Sequence, residues 1–123
     1  MTNQERVAEF HRAFGVPIEE APMIPSVEVV DLRMALMSEE LHELKVALWA
    51  GDLVATADAI GDLLVTVYGT ALSCGIDADR AVAEVHRSNM SKLGPDGKPI
   101  LRSDGKVMKG PNFVPPDLSW VLT

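Results

Sequence analysis

Cysteine is almost missing: Cys74 is the only one in 123 residues. One thiol closes no intramolecular disulfide and builds no cysteine-rich zinc site, so the chain reads as suited to a reducing, cytoplasmic setting. Aromatic residues are scarce as well. Three phenylalanines, two tryptophans and one tyrosine make up 5% of the chain, too few for the stacking platforms that hold single strands. Positive charge is also short, with 11 Lys and Arg against 18 Asp and Glu and a net charge of -7. Such a balance repels nucleic-acid phosphates and argues against any polynucleotide-coating role. No long apolar run is uninterrupted, because Asp62 breaks the stretch from Ala59 to Ile76, which argues against a membrane span. The opening Met1-Thr2-Asn3-Gln4-Glu5-Arg6 is polar and lacks the basic-then-apolar pattern of a targeting signal. What is present is a chain that is 47% hydrophobic, enough for one compact domain spanning residues 1–123. The excess acids then pose the question of whether they are a solvated surface or a site.

Helical periodicity dominates the first 90 residues. Thr2 and Glu5 have capping-box spacing, and Val7, Phe10 and Phe14 follow at helical intervals until Gly15. Pro17, Pro22 and Pro25 make the next segment an extended connector. Ser26 caps a second helix whose apolar residues Val30, Met34, Met37, Leu41, Leu44 and Leu48 form a core-facing stripe, and Gly51 stops it. Asp52 caps a third helix to about Ser73. Two helices of this length joined by so short a turn must pack as an antiparallel hairpin. Asp77 opens a fourth helix with Ala81, Val82, Val85 and Met90 on one side. The helical core thus covers residues 26–90. Beyond it, in 91–123, Gly94-Pro95-Asp96-Gly97 and Ser103-Asp104-Gly105 predict turns around a small β-hairpin or ordered loop.

The informative residues are acidic. Glu39, Glu40 and Glu43 share one patch of the second helix, and Asp58 and Asp62 lie one turn apart on the third. Asp62 is flanked by apolar neighbours in Ile60-Gly61-Asp62-Leu63-Leu64, where a charge calls for a partner or a cation. Folding the hairpin about Gly51 brings Glu40 and Glu43 level with Asp58 and Asp62. Four or five carboxylates with only Lys45 nearby suit a hard divalent cation such as Mg²⁺ or Mn²⁺ with oxygen ligands. The plain alternative is a solvated acidic face, since Glu-Glu-x-x-Glu is common on helix surfaces.

Glu39-Glu40-Leu41-His42-Glu43 followed by Asp58-Ala59-Ile60-Gly61-Asp62 resembles the metal-binding signature of the MazG-like nucleoside triphosphate pyrophosphohydrolases, the superfamily that includes dimeric dUTPases and phosphoribosyl-ATP pyrophosphohydrolase. The resemblance spans residues 1 to about 118 and includes Asn89-Met90-Ser91-Lys92 and Gly110-Pro111-Asn112-Phe113. It implies an all-α helical bundle of four main helices per chain with a short C-terminal hairpin extension, completed by pairing into a homodimer or homotetramer. By the same resemblance Glu40, Glu43 and Asp62 are metal ligands, and Glu39 is a ligand or orients the attacking water. Two or more Mg²⁺ or Mn²⁺ ions per site are implied. One departure stands out: the usual glutamate three residues before the aspartate is Ala59 here, so Asp58 is a substitute ligand or one metal site is weakened.

Six of the eleven basic residues lie between positions 86 and 110. Asn89 and Lys92 resemble the family's Asn-x-x-Lys pair, which implies contact with the nucleotide, and Lys98, Lys106 and Lys109 are candidates for its phosphates. A merely solubilising basic segment is the alternative. His11, His42 and His86 read as surface or interface residues, Trp49 as core or interface, and Trp120 as a dock for the tail. The expected reaction is metal-dependent cleavage of a nucleoside triphosphate such as dUTP, dCTP or dGTP between its α and β phosphates. A catalytically silent metal-binding or interaction module on the same scaffold is the competing expectation. Phosphoribosyl-ATP hydrolysis shares the chemistry but is disfavoured by the tail.

Overall fold

Helix α1 (Asn3–Phe14) begins with the full capping box: Thr2 Oγ1 accepts from the Glu5 amide, and the Glu5 carboxylate accepts from the Thr2 amide at 2.7 Å. Helix α2 (Val27–Ala50) starts at the Ser26 cap, and helix α3 (Leu53–Ser73) at Asp52, whose carboxylate accepts from the Ala55 amide. Between α2 and α3 only Gly51 and Asp52 intervene. Gly51 holds φ at +67°, the left-handed region open to glycine at little cost, and the Asp52 amide donates back to the Ala47 carbonyl. The connector that follows α1 is not free chain. The Glu19 and Met23 amides donate to the Leu72 and Cys74 carbonyls, satisfying the C-terminal end of α3. These elements come from a computed structural model that describes all 123 residues as two compact units, Met1–Ala78 and Asp79–Thr123.

The first unit consists of α1, α2 and α3, with α3 packed along both partners. Its small core joins Val7 and Ala8 of α1 to Leu72 of α3, flanked by Ile18 and Tyr68. Beside it lies a buried polar cluster. Arg33 crosses from α2 to donate to the Thr66 carbonyl at 3.0 Å and Thr70 Oγ1 at 3.3 Å, and His11 is only 2% exposed. Burial holds both groups below their ordinary pKa values, because a charge there loses its water. The space for them exists because position 69 is glycine: a Cβ there would meet Arg33 Nη2 at 2.3 Å and His11 Nε2 at 2.9 Å.

The expected core stripe of α2 is different in the fold. Met34, Leu41 and Leu48 are exposed, Trp49 is 86% exposed, and the buried residues of α2 are Arg33 and Ala47. Two long helices and one short helix give too little apolar surface to cover both faces of the hairpin, so the stripe is not core within one chain. Helix α3 has the length and hydropathy of a membrane span, yet carries Asp58 and Asp62 and lies against α1 and α2.

The second unit is built on helix α4 (Ala78–Met90), which opens at the unit boundary. Helix α4 packs with the tail that follows it. Its packed side is not the expected Val82 and Val85 face, which is exposed, but the polar Glu84 and Ser88. These polar side chains are buried because the tail offers backbone partners to them. Glu84 accepts from Arg87, from the Asp117 amide and from the Trp120 indole at 3.2 Å, while Ser88 Oγ donates to the Val114 carbonyl at 2.8 Å. Trp120, in a final 3-10 turn (Ser119–Leu122), also lies under the Arg80 guanidinium. Strands β1 (Ile100–Leu101) and β2 (Val107–Met108) pair antiparallel across the turn at Gly105, as expected.

Two outcomes follow from these contacts. Gly69→Ala should lower stability by about 1–3 kcal/mol by overpacking. Gly61→Ala, whose Cβ meets nothing within 4 Å, should be neutral or mildly stabilising in thermal unfolding. The Arg87 hydrogen bond, with the Asp117 amide, lowers the Glu84 pKa from 4.5 to about 2. The ionised form therefore favours the folded unit: its contribution is full above about pH 4.5 and is lost as pH falls toward 2. The Trp120 indole NMR signal should shift toward its unfolded position over that window, and Glu84→Gln should produce the same shift at pH 7.

Candidate active site

The short turn at Gly51 sets which residues of α2 and α3 face each other. Counting away from it, Glu43 and Glu40 meet Asp62, and each of the three offers a carboxylate oxygen within 4.8 Å of the others. No ion pair engages any of them, since the salt bridges to carboxylates are Arg87–Glu84 and Arg102–Asp104 in the other unit. Glu40 is the most constrained of the three. Its Oε2 is buried without a hydrogen-bond partner. Burial first, and then the neighbouring charges of Glu43 and Asp62, push its pKa up, with Glu39 adding to the effect. Three oxygen ligands of like charge, one with an unsatisfied buried atom, suit a hard cation by the chemistry of the donor set.

The structure thus brings together Glu40, Glu43 and Asp62 of the five candidate ligands. Glu39 stands beside the group, close enough for its charge to bear on Glu40. Asp58 lies outside those three. With Glu43 and His42 it lines a recess of about 310 Å³ whose walls are Val46, Ala47, Ala50, Ala55 and Ala59. This recess was not foreseen, because alanines carry no periodic signal; their density between positions 47 and 59 is the only trace of it in the sequence.

In the second unit, Asn89 and Lys92 line a cavity of about 400 Å³ with Met90, Leu93, Pro99 and Val107. Lys98, Lys106 and Lys109 are exposed on or beside the hairpin. Lys109 lies over the Phe113 ring, and none of these four lysines has a carboxylate partner. The tail that carries them is anchored: the Gly110 amide donates to the Lys92 carbonyl, and a Cβ at Gly110 would lie 2.8 Å from that oxygen.

The fold is an all-helical unit with three acids converging across an antiparallel hairpin. The match is specific: residues 7–89 fit the phosphoribosyl-ATP pyrophosphohydrolase family, and the chain belongs to that family within the MazG-like superfamily. It is 32% identical over 112 residues to the uncharacterized protein L479 of Acanthamoeba polyphaga mimivirus, covering 88% of this chain and 42% of that protein. The chain therefore spans less than half the length of that relative. A crystal structure from Exiguobacterium sp. 255-15, provisionally described as an NTP pyrophosphohydrolase, matches 94% of this chain and 89% of its own, with 26% identity and a TM-score of 0.52.

Crowding of like charges gives a direct expectation. In chelator, Glu40→Gln should raise stability by roughly 1 kcal/mol, because each repulsive pair costs a few tenths and Glu40 faces Glu39, Glu43 and Asp62. An unchanged or lower unfolding midpoint would show that the carboxylates do not repel in solution.

Proposed function

We propose that this chain is a metal-dependent nucleoside triphosphate pyrophosphohydrolase that cleaves a (deoxy)nucleoside triphosphate between the α and β phosphates, releasing a nucleoside monophosphate and pyrophosphate. The observation that carries this reading is the Glu40, Glu43 and Asp62 group with the buried, unpartnered Glu40 oxygen, in a chain of this family. Those three residues would hold Mg²⁺ or Mn²⁺. When bound, the ion lowers the pKa of a water and neutralises charge developing on the phosphoryl oxygens.

The chain's own residues do the rest. Glu40 and Glu39 beside it would orient the attacking water and take its proton. Asn89, Lys92, Lys98, Lys106 and Lys109 supply the neutral amide and ammonium groups that a polyphosphate needs, in a unit whose lysines have no acid to answer them. The uncovered apolar faces of α2 and α3 favour a homodimer or homotetramer in which hairpins from separate chains complete one bundle. Nothing in the charge distribution favours a polynucleotide, and the lone cysteine fits a cytoplasmic setting.

One observation favours the second reading, a catalytically silent metal-binding module: only three carboxylates converge, and the position three before Asp62 is the buried Ala59. Incubation with each of the common dNTPs and NTPs in Mg²⁺, with products separated by ion exchange, tests the choice. Pyrophosphate and monophosphate should appear, and Glu43→Gln and Asp62→Asn should each lose at least 100-fold in kcat/KM. Orthophosphate with a diphosphate product, or no turnover while Mn²⁺ still binds, would sink the hydrolase reading.

A further inference from the structure

The recess beside Glu43 has the size and lining of a small-molecule pocket, and of the three grouped carboxylates only Glu43 lines it. Its volume of about 310 Å³ stands at the lower end of the range for ligand sites. Four alanines, Ala47, Ala50, Ala55 and Ala59, give it flat apolar walls, and Ala47 and Ala59 are themselves buried. The polar groups at its edge are mostly engaged elsewhere. Asp52 caps α3, and Glu43 belongs to the carboxylate group. His42 and Asp58 remain: both are exposed, line the recess and take part in no hydrogen bond or ion pair, and of the two only Asp58 carries a carboxylate. Because Glu43 is shared between recess and carboxylate group, a ligand seated on the alanines lies next to the reaction centre.

We propose that this recess receives the base of the nucleotide and that Asp58 reads it, so that Asp58 is a specificity residue and not a metal ligand. This assignment takes its orientation from the hydrolase reading above. An ionised carboxylate only accepts hydrogen bonds, so it selects a base edge that donates. Guanine is the common base whose pairing edge carries two adjacent donors, N1–H and the 2-amino group, which one carboxylate takes together. Adenine and cytosine offer one amine beside a ring-nitrogen acceptor. Uracil and thymine flank their single N–H with carbonyls that face the carboxylate unfavourably. A site with an unpaired polar group discriminates strongly against analogues that cannot answer it. The small walls admit a bicyclic base, where bulkier residues at positions 47, 50, 55 and 59 would fill the space.

Nucleoside monophosphates test this without any turnover. With the full chain in Mg²⁺, calorimetry should find dGMP bound at least tenfold tighter than dIMP, which lacks only the 2-amino group, and than dTMP. Asp58→Asn should reduce that preference to under threefold and leave Mn²⁺ affinity within twofold. Ala55→Phe should weaken all three ligands at least tenfold, and Ala50→Phe serves as the second filling variant should the first fail to fold. Equal binding of the three monophosphates by the wild type, a preference that survives Asp58→Asn, or a tenfold loss of Mn²⁺ affinity in that variant overturns the proposal. A dGMP preference in a protein that cleaves no triphosphate would leave the pocket assignment standing and remove the hydrolase reading, so the two fail separately.

Discussion

Everything chemical in this chain depends on the register of one helical hairpin. Gly51 and Asp52 make the turn so short that no slippage is available: the glycine takes φ of +67°, and the aspartate starts the next helix with its own side chain. Given a 3.6-residue period, that fixes Glu43 and Glu40 opposite Asp62. It also leaves Asp58, one turn earlier on α3, beside the alanine recess. A single inserted residue at the turn would rotate α3 by about 100° relative to α2 and disperse the group. The carboxylates do not hold the hairpin together; they repel, and the packing of α3 along α2 and α1 imposes their proximity.

Charge is divided as sharply as structure. Residues 1–78 contain 13 acidic and four basic residues, whereas 79–123 contain five acidic and seven basic ones. One of those four basic residues, Arg33, is buried among threonines and a histidine and so cannot serve the acids. The first unit is therefore short of cations in just the place where its acids converge, and a divalent ion answers that shortage better than a surface lysine. In the second unit the buried acid, Glu84, is fully committed to holding the tail on α4. That commitment leaves the four lysines without carboxylate partners, a pattern suited to an anionic ligand.

Much of this was legible because it is local. Caps at Thr2, Ser26 and Asp52, stops at Gly15 and Gly51, and the hairpin turn at Gly105 each rest on one residue's intrinsic chemistry, and each stands where expected. The pairing of Glu40 and Glu43 with Asp62 needed only the helix period and a short turn. What periodicity could not reveal is which face a neighbour covers. On α4 the apolar Val82 and Val85 face out while Glu84 and Ser88 are buried, because the partner is an extended tail with backbone groups to satisfy, not another apolar helix. Asp58 stands one position before the family's glutamate, and one helical position rotates a side chain by about 100°, so its spacing alone does not fix which neighbour it faces.

The stripe on α2 is the most instructive departure. Met34, Leu41 and Leu48 recur with the regularity of a core face, yet they are exposed together with Leu64 and Val67 of α3. Such regularity is not expected of a solvated surface, since contiguous exposed apolar area favours association or aggregation. A sequence pattern records where burial occurs in the functional assembly, and the boundaries of one chain do not limit it. The same reasoning applies to α3, whose hydropathy would suit a bilayer but whose Asp62 shares a carboxylate group with α2. Lipid would have to solvate that group, at the cost of any unpaired charge taken out of water. The apolar faces of α2 and α3 therefore call for cover that this chain alone does not supply, while the acidic centre between them calls for water or cations.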